Sequence, residues 1–449
     1  MRVALAAHAA RAVPRYTSYP TAPHFTEAID ESRYRDWLAN LDPALPLSLY
    51  LHVPFCRKMC WYCGCHTKIV ARYDPVRRYA SVLLTEIDLL ADQLPGKFDV
   101  SHVHWGGGTP TILEAADFKE IMSRIRARFN FSGSAEKAVE IDPRTVDTMK
   151  IAALAEAGIN RASLGIQDFS PVVQQAINRV QSFEVTRETV KTLRENGISK
   201  LNFDLMYGLP LQTEEDVLNT VNLSHALRPD RIALFGYAHV PWMKSHMKMI
   251  RDADLPDSAA RIHQADVAAM RLKELGYVQI GLDHFAHADD PLAIALEEGR
   301  LNRNFQGYTT DIAENLIGLG ASAIGRLAHG YVQNAAPIAA YEKAVIGGEF
   351  PIVKGVELSA DDRLRRRVIE RLMCDSGVDL GAVASDFGVG LDYFEDEMPG
   401  IREYCEDGIA TFEKGRLALT EEGRPLVRTV CALFDRYLGS GAARHSRAV

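Results

Sequence analysis

Short apolar runs alternate with amphipathic stretches from residue 47 to about residue 285. The apolar runs predict strands at 47–53, 101–105, 137–141, 161–166, 201–207 and 231–237, with a further strand at 277–283. The amphipathic stretches between them predict helices at 76–94, 117–129, 145–157, 183–196, 214–227 and 258–275. Buried strands that alternate with helices are typical of a parallel sheet wound by right-handed crossovers.

The number of strand–helix units predicts an open barrel. Six units fall short of the eight that close a (βα)8 barrel, so we expect an α/β fold with a partial (βα)6 barrel. The alternation stops after residue 350, where 360–377 and 379–387 predict helices and 408–430 predicts a hairpin that leads into a final helix. The predicted organisation is an N-terminal arm over the site (1–46), the barrel with its extension (47–350) and a mostly helical, winged-helix-like C-terminal domain (351–449).

Polar residues and glycines stand where the predicted strands end. A cysteine-rich loop follows the first strand and a triple glycine follows the second. Glu140 and Asp142 end the third strand and Gln167 and Asp168 the fourth, whereas Asp204 lies within the fifth and Tyr237 and Ala238 at the end of the sixth. The carboxyl ends of parallel strands meet at one edge of a sheet, which is where such folds place their chemistry. The pattern therefore predicts one site at the top of one sheet.

Cys56, Cys60 and Cys63 follow the first strand with the spacing C-x₃-C-x₂-C. Three thiolates from one loop can hold three irons of a 4Fe–4S cluster and leave the fourth iron open to another molecule. Cys65 lies too close to Cys63 to reach an opposite corner, so we predict a separate role for it. A zinc site is the alternative, disfavoured because it needs a distant second ligand pair, and the odd total of seven cysteines disfavours disulfides.

The motifs resemble those of the radical S-adenosylmethionine superfamily, and the longer ones resemble those of the oxygen-independent coproporphyrinogen III dehydrogenases of haem synthesis. The superfamily resemblance rests on the three-cysteine loop, on GGGTP after the second strand and on the acidic end of the third. The family resemblance rests on YTSYPTAPHF (16–25), YLHVPFCRKMCWYCGC (50–65), HWGGGTPT (104–111), GIQDF (165–169), NFDLMYGLP (202–210) and NRNFQGYTT (302–310). It runs from about residue 14 to the C-terminal helix.

The resemblance implies a role for each matching position. Cys56, Cys60 and Cys63 would ligate the 4Fe–4S cluster, and Cys65 would be a non-ligand cysteine required for activity. The cluster-bound S-adenosylmethionine would contact Tyr50, Gly107, Glu140 and Ile324. A second S-adenosylmethionine would contact Tyr62, Gly108, Thr109, Gln167, Arg179, Asp204 and Ala238. Tyr62 stands where close relatives often have Phe, so the ring is kept and a hydroxyl is added.

The resemblance also implies a reaction. A deoxyadenosyl radical would take a hydrogen atom from a propionate β-carbon, and loss of carbon dioxide and one electron would leave a vinyl group. Two rounds would convert coproporphyrinogen III to protoporphyrinogen IX, with electrons from a flavodoxin- or ferredoxin-type donor. Arg15, Arg303 and Lys68 are candidates to bind the substrate carboxylates, and we expect the YTSYPT segment to lie over the site.

Two other functions share the cluster motif. Radical-SAM-like haem chaperones are binding proteins, and anaerobic haem-degrading methyltransferases methylate and open the haem ring. Both usually lack a cysteine at the position of Cys65, which therefore argues against them. An anaerobic assay with coproporphyrinogen III separates the three functions.

Composition limits the remaining classes. Hydrophobic content of 47% and charged content of 24% in 449 residues are typical of a globular protein, and the net charge of −8 provides no basic footprint for nucleic acid. No apolar run of 18 residues is present, so we expect no membrane span. The N-terminal MRVALAAHAARAVPR lacks the pattern of a signal peptide, and we interpret it as a mobile or loosely docked arm. We expect a cytoplasmic monomer.

Overall fold

The computed structural model of the protein describes residues 7–439. Its helices are α1 Glu31–Ala39, α2 Asp74–Gln93, α3 Ala115–Arg128, α4 Thr148–Glu156, α5 Pro171–Ala176, α6 Phe183–Glu195, α7 Glu214–Ala226, α8 Ser258–Glu274, α9 Pro291–Glu297, α10 Ile338–Ile346, α11 Ala360–Asp375, α12 Leu380–Asp386, α13 Met398–Glu406 and α14 Val427–Cys431.

The strands follow the same chain order. They are β1 Leu47–Val53, β2 Phe55–Cys56, β3 Lys68–Ile69, β4 Asp99–Gly107, β5 Asn130–Ile141, β6 Arg161–Gln167, β7 Lys200–Tyr207, β8 Arg231–Gly236, β9 Tyr277–Ile280, β10 His284–His287, β11 Asn302–Asn304, β12 Gly307–Thr309, β13 Asn315–Leu319, β14 Ile324–Leu327, β15 Gly330–Asn334, β16 Ile352–Glu357, β17 Gly377–Asp379, β18 Ala410–Glu413 and β19 Arg416–Leu419.

A twelve-stranded sheet dominates the part of the chain that the structure describes. Its order is β16-β15-β14-β13-β1-β4-β5-β6-β7-β8-β10-β9, and the seven strands from β13 to β8 are parallel. The six predicted strands from β1 to β8 are all present, so the predicted α/β fold with an open parallel barrel is confirmed. The predicted strand at 277–283 is shorter and belongs to an antiparallel pair, β9 with β10, rather than to another strand–helix unit.

Local capping explains why the predicted helices form where they do. The side chain of Ser182 accepts a hydrogen bond from the Val185 amide at the start of α6, and Gly197, with φ +85°, follows its end. Thr213 and the third helical residue form a capping box at α7. The prediction for 145–157 was three residues too long at its start, because Asp147 caps the helix.

Two large hydrophobic clusters organise the described residues. The first packs β1 to β8 against their helices, with Leu51, Trp105 and Phe203 fully buried. The second fills the C-terminal region and also includes Tyr16 and Tyr19 of the N-terminal arm. Within the segment 1–15, which the sequence predicts to be mobile or loosely docked, Ala9 and Val13 are buried as well, so the segment is docked where the structure describes it. Residues 1–6 lie outside the described residues.

The C-terminal region carries the predicted helix–hairpin–helix pattern. Helices α11 and α12 occupy the two predicted helical stretches, and β18 and β19 form the hairpin, to which β17 adds a third strand. The final helix α14 spans five residues. Within residues 7–439, no helix has the length and apolar character needed to cross a membrane.

Candidate functional site

Cys56 is held at the top of the barrel by a small strand pair. It ends β2, which pairs in parallel with β3. The Cys56 Sγ accepts a hydrogen bond from Thr67 Oγ1 at 3.3 Å and lies 3.3 Å from Thr109 Oγ1. Burial raises the pKa of the Cys56 thiol, and the two hydroxyl groups partly oppose that rise because they stabilise a negative sulfur.

Cys60 is buried next to two guanidinium groups. Arg144 Nη2 lies 3.4 Å and Arg179 Nη1 3.6 Å from its Sγ. Arg144 also donates two hydrogen bonds to the carboxylate of Asp142, at 2.9 and 2.7 Å, which fixes its orientation. The two guanidinium groups would offset the negative charge that a metal-bound sulfur carries.

Cys63 and Cys65 lie at the exposed end of the loop. The Cys65 amide donates to Cys63 Sγ at 3.4 Å, and hydrogen bonds from Cys65 lower the pKa of the Cys63 thiol to about 6. The segment after β8 holds this end of the loop. Lys244 Nζ donates to the Cys65 carbonyl at 2.9 Å, and His246 Nε2 donates to the Cys63 carbonyl at 2.8 Å.

The donor set of the loop fits a cluster better than a single ion. Within the described residues 7–439, the one group of three His, Cys, Asp or Glu whose ligand atoms all lie within 4.8 Å of one another is His8, Glu403 and Asp407, so the loop thiols are more widely spaced. Thiolates on one zinc ion would lie about 3.8 Å apart, given a Zn–S bond of about 2.3 Å. Thiolates on different irons of a cluster are farther apart, as these are.

The glycines after β4 allow two backbone segments to approach closely. Gly107 has φ +115°, and a Cβ there would lie 2.8 Å from the His52 ring. A Cβ on Gly108 would lie 2.6 Å from the Phe55 carbonyl oxygen. Glycine at both positions allows the GGGTP turn to cross the cysteine loop closely. The Thr109 amide also donates a hydrogen bond to the Phe55 carbonyl of that loop.

The structure brings together three of the four residues implied for the cluster-bound cofactor. Glu140 Oε2 accepts from the Gly107 amide at 3.2 Å, and Glu140 Oε1 lies 3.2 Å from His104 Nε2, whose ring packs beside that of Tyr50. Ile324 is two strands away on β14. Gly318 stands opposite Tyr50 on the neighbouring strand, and a Cβ on Gly318 would lie 2.7 Å from the Ile324 carbonyl oxygen. Ile324 therefore still lies near Tyr50.

The residues implied for a second cofactor molecule lie around the ends of β6 and β7. Gln167 ends β6 with φ +72°, and a Cβ on Gly165 would lie 3.0 Å from Gln167 Nε2 and 3.1 Å from Arg179 Nη2, so both side chains face one point. Asp204 stands opposite Gly165 on β7. It accepts a hydrogen bond from Ser163 Oγ at 2.9 Å, and burial raises its pKa to about 6.

Tyr62, Gly108, Thr109 and Ala238 complete that second set. Tyr62 packs against an apolar cluster that includes Tyr237, which directly precedes Ala238. Gly108 and Thr109 adjoin the cysteine loop through backbone hydrogen bonds. Gly108 and Thr109 follow the end of β4 and Ala238 follows that of β8, whereas Tyr62 belongs to the cysteine loop itself.

A cavity of about 1360 Å³ opens beside the cysteine loop. Cys65 and Ala238 line it together with residues from the N-terminal arm, the barrel and the C-terminal region. A second cavity, of about 250 Å³, lies inside the barrel and includes Glu140 and Asp204 in its wall. Of the three candidate carboxylate ligands, Arg15 and Arg303 line the larger cavity, whereas Lys68 is an exposed residue of β3 outside the cavity wall given by the described residues.

Several side chains of this region were missed by the sequence analysis. Arg144 lies two residues after Asp142, close to the end of the third predicted strand, so the polar signal there could have included it. Lys244, His246 and Arg428 stand far along the chain from the cysteine motif, and no local pattern marks them. Their placement depends on tertiary packing.

Two protein-family models match separate stretches of the chain. The Radical SAM superfamily model matches residues 50–224, and the HemN C-terminal domain model matches residues 358–426. The first of these stretches contains the cysteine loop and the strand ends from β4 to β7. The second contains the helices and hairpin of the C-terminal region.

Curated relatives match nearly the whole chain. The oxygen-independent coproporphyrinogen III oxidase of Bradyrhizobium diazoefficiens is 51% identical over 437 residues, 97% of this chain and 97% of the relative. The oxygen-independent coproporphyrinogen III oxidase of Paracoccus denitrificans is 44% identical over 97% of this chain and 96% of the relative. A solved structure of coproporphyrinogen III oxidase (HemN) from Escherichia coli, described as a radical SAM enzyme, matches with a TM-score of 0.90 and 36% identity over 95% of this chain and 100% of that one.

Proposed function

The chain belongs to the oxygen-independent coproporphyrinogen III oxidases of the radical SAM superfamily, and from that membership we propose that it decarboxylates two propionates of coproporphyrinogen III to vinyl groups, giving protoporphyrinogen IX in haem biosynthesis. One observation carries the proposal. The loop that presents three cysteines also places Cys65 on the wall of a cavity of about 1360 Å³, large enough for a tetrapyrrole.

The enzyme uses a 4Fe–4S cluster and S-adenosylmethionine, as its superfamily does. When bound, the two together supply one-electron chemistry that removes a hydrogen atom from an unactivated carbon. The protein's own contribution is to bind, orient and enclose. The thiol contacts, the glycine turn and the acidic and basic side chains described above support that role.

We propose the following assignments within this site. Cys56, Cys60 and Cys63 hold the cluster. The cluster-bound S-adenosylmethionine is contacted by Tyr50, Gly107, Glu140 and Ile324, and a second molecule by Tyr62, Gly108, Thr109, Gln167, Arg179, Asp204 and Ala238. The geometry supports these assignments because the strand ends bring most of the set to one edge of the sheet. Cys65, which is exposed and lines the substrate cavity, handles a proton or an electron at the substrate.

An anaerobic turnover assay tests the proposed function. The reconstituted enzyme receives coproporphyrinogen III, S-adenosylmethionine and a chemical reductant, and carbon dioxide and the vinyl product are measured. Formation of two molecules of carbon dioxide per protoporphyrinogen IX is the expected result. Stable haem binding without turnover would instead indicate a chaperone, and methylation with opening of added haem would indicate a haem-degrading methyltransferase.

We also propose that the electrons come from a flavodoxin- or ferredoxin-type protein. Arg57, Lys58 and Lys68 are exposed on the cysteine loop and the short strand beside it, in a chain whose net charge is −8. An acidic donor would be attracted to this local positive charge. Lys58→Glu should therefore slow reduction of the cluster by such a donor several-fold at low ionic strength, while reduction by dithionite stays unchanged. Equal donor rates for parent and variant would contradict this docking position.

The remaining assignments concern organisation. We propose a monomer, because segments of one chain supply the described wall of the substrate cavity, and a cytoplasmic enzyme, because the cysteines of the described region are all free thiols. We retain the division into an arm (1–46), a barrel with its extension (47–350) and a C-terminal domain (351–449). In that division β16, which pairs with β15, is the strand that joins the last two parts.

A further inference from the structure

Three arginines from remote parts of the chain meet on one wall of the large cavity. Arg15 belongs to the N-terminal arm, Arg303 to β11 and Arg428 to α14, and all three line the cavity. Their charges act on one another. Burial lowers the pKa of Arg428 to about 10, and the positive charges of Arg15 and Arg303 contribute to that decrease. Like charges that converge in a cavity favour an anionic occupant.

Arg15 and Arg303 present positive charge to the cavity. Arg15 Nη2 donates to the Gly236 carbonyl at 3.2 Å, and Arg428 Nε donates to the Pro14 carbonyl at 2.9 Å; both acceptors are neutral backbone groups. Within residues 7–439, neither Arg15 nor Arg303 has a carboxylate within ion-pair distance. The wall therefore carries positive charge toward the cavity.

Arg303 provides the most specific evidence for a ligand. Its guanidinium lies over the Tyr308 ring, 4.5 Å from the ring centre, which fixes the plane of the group. Its Nε and Nη1 atoms are buried and have no hydrogen-bond partner among the described residues. Buried donors without a partner are costly, and a carboxylate oxygen is a strong acceptor for a guanidinium N–H group.

Asp283 is an acidic residue of the same wall that offsets part of the charge of Arg15 and Arg303. Asp283 lines the same cavity, accepts a hydrogen bond from His284 Nδ1 at 2.7 Å, and has a lowered pKa to which His284, Arg303 and Arg15 contribute. It is therefore ionised at neutral pH. Its single charge is smaller than the combined charge of Arg15 and Arg303, so this part of the wall stays positive.

We propose that Arg15, Arg303 and Arg428 form one binding site for a propionate carboxylate of the tetrapyrrole, so that the N-terminal arm and the C-terminal domain both bind substrate directly. This inference rests on the proposed function, which supplies a substrate with four carboxylates. Guanidinium groups stabilise a carboxylate in its anionic form, so the site suits a propionate that is retained through the reaction. It then acts as an anchor that leaves the reacting group unconstrained.

Direct binding measurements test the inference. Coproporphyrinogen III is equilibrated by anaerobic dialysis with the cluster-loaded enzyme in the absence of reductant, and bound ligand is quantified by fluorescence after oxidation to the porphyrin. Arg303→Gln should weaken binding about 30-fold or more, the loss typical of a buried charged contact. Arg303→Lys should recover part of the affinity, and Arg15→Gln, at a more exposed position, should weaken binding about three- to tenfold.

Matched controls separate a binding role from a structural one. Arg187→Gln removes an exposed arginine from α6, outside the cavity, and should bind as the parent does. Iron content and circular dichroism should be unchanged in every variant. In turnover, Arg15→Gln should raise KM and leave kcat within a few-fold of the parent, because an anchor contributes equally to ground state and transition state.

The inference and the proposed function fail in different ways. Parent-like affinity in both Arg15→Gln and Arg303→Gln would overturn the arginine site, even if the parent enzyme forms protoporphyrinogen IX. A parent enzyme that binds coproporphyrinogen III through these arginines but releases no carbon dioxide with reductant would overturn the proposed function and leave the site in place. A parent enzyme that does not bind coproporphyrinogen III would overturn both.

Discussion

The cysteine loop and the arginine wall face the same cavity but are built in different ways. The loop is a short continuous segment whose sulfurs are positioned by backbone pairing and by the glycine turn after β4. The wall joins Arg15, Arg303 and Arg428, which come from three separate segments and meet through side chains. The loop therefore depends on local geometry, and the wall depends on the docking of distant parts of the chain.

This difference separates reaction type from substrate choice. A contiguous motif can provide the same cofactor chemistry in many proteins, because the strand, the loop and the glycine turn lie close together in the sequence. A wall assembled from an arm, a hairpin and a C-terminal domain can change without disturbing the thiols. The predictions below test whether the two sides are as separable as this arrangement indicates.

The largest expected effect is loss of the cluster from the loop. Replacing Cys56, Cys60 or Cys63 by Ala should abolish it after anaerobic reconstitution, since no other thiol of the described loop is placed at the missing corner. Iron and sulfide content and the visible absorption spectrum provide the measurement. Coproporphyrinogen III binding should survive in these variants; its loss would show that the two sides are not independent. Stoichiometric zinc without iron in the anaerobically purified parent protein would refute the cluster assignment.

The variant Cys65→Ser tests the boundary between the cysteine loop and the substrate cavity. Cys65 adjoins Cys63 in sequence but lines the substrate cavity, so the variant should keep its iron and its cluster spectrum and lose turnover. Product formation and iron content are measured on the same sample. A variant that loses its cluster would make Cys65 a ligand and would contradict the open fourth iron.

The affinity for S-adenosylmethionine tests the residues at the strand ends, between the cysteine loop and the arginine wall. Alanine at Glu140, Gln167, Arg179 or Asp204 should weaken S-adenosylmethionine binding, because each removal leaves a polar ligand group without its partner. A loss of about 2–5 kcal/mol for the charged residues corresponds to roughly thirty-fold to several thousand-fold in affinity. Anaerobic equilibrium binding provides the measurement. Unchanged affinity in all four variants would show that these side chains serve only the fold.

The smallest expected effect is a pH-dependent change in stability at Asp204. Burial raises its folded pKa to about 6, above an unfolded value of about 3.9, so the folded state loses stability as pH rises from about 4 to 6. Glu140 adds to the rise in pKa, and Ser163, His284 and Asn202 oppose it. Between pH 4 and pH 7 the stability of Asp204→Asn relative to the parent should therefore improve by about 2–3 kcal/mol, measured by urea unfolding of the cluster-free proteins. A difference independent of pH would contradict the raised pKa.

Sequence patterns predicted the barrel well because each buried strand is a continuous apolar run. Strand β1 was predicted at its observed bounds, and helix α7 to within a residue. The strands β13 to β16 were missed, since Gly318, Gly325 and Gly330 interrupt the apolar character of β13, β14 and β15. Parallel β13, which extends the barrel beside β1, was therefore not expected.

The site residues, like the strands, include some that the sequence predicts and some that it does not. Positions within or next to the cysteine motif could be identified from the sequence, because their spacing reflects the chemistry they carry. Arg428 could not, because an arginine in an amphipathic C-terminal segment is indistinguishable from a surface residue until the arm docks on it. Arg15 and Arg303 were candidates through the charge of the substrate, and their convergence required the structure.

The docking of the arm on α14 also bears on how the protein is made. Tyr16 donates a hydrogen bond to Asp435, and Arg428 donates one to the carbonyl of Pro14, so contacts between the N-terminal arm and the region of α14 help to form one wall of the cavity. A ribosome completes the cysteine loop long before it delivers these late residues, and contacts of such high sequence separation form slowly. A nascent chain can therefore carry the thiols of a radical enzyme before the residues around α14 close the wall of its chamber.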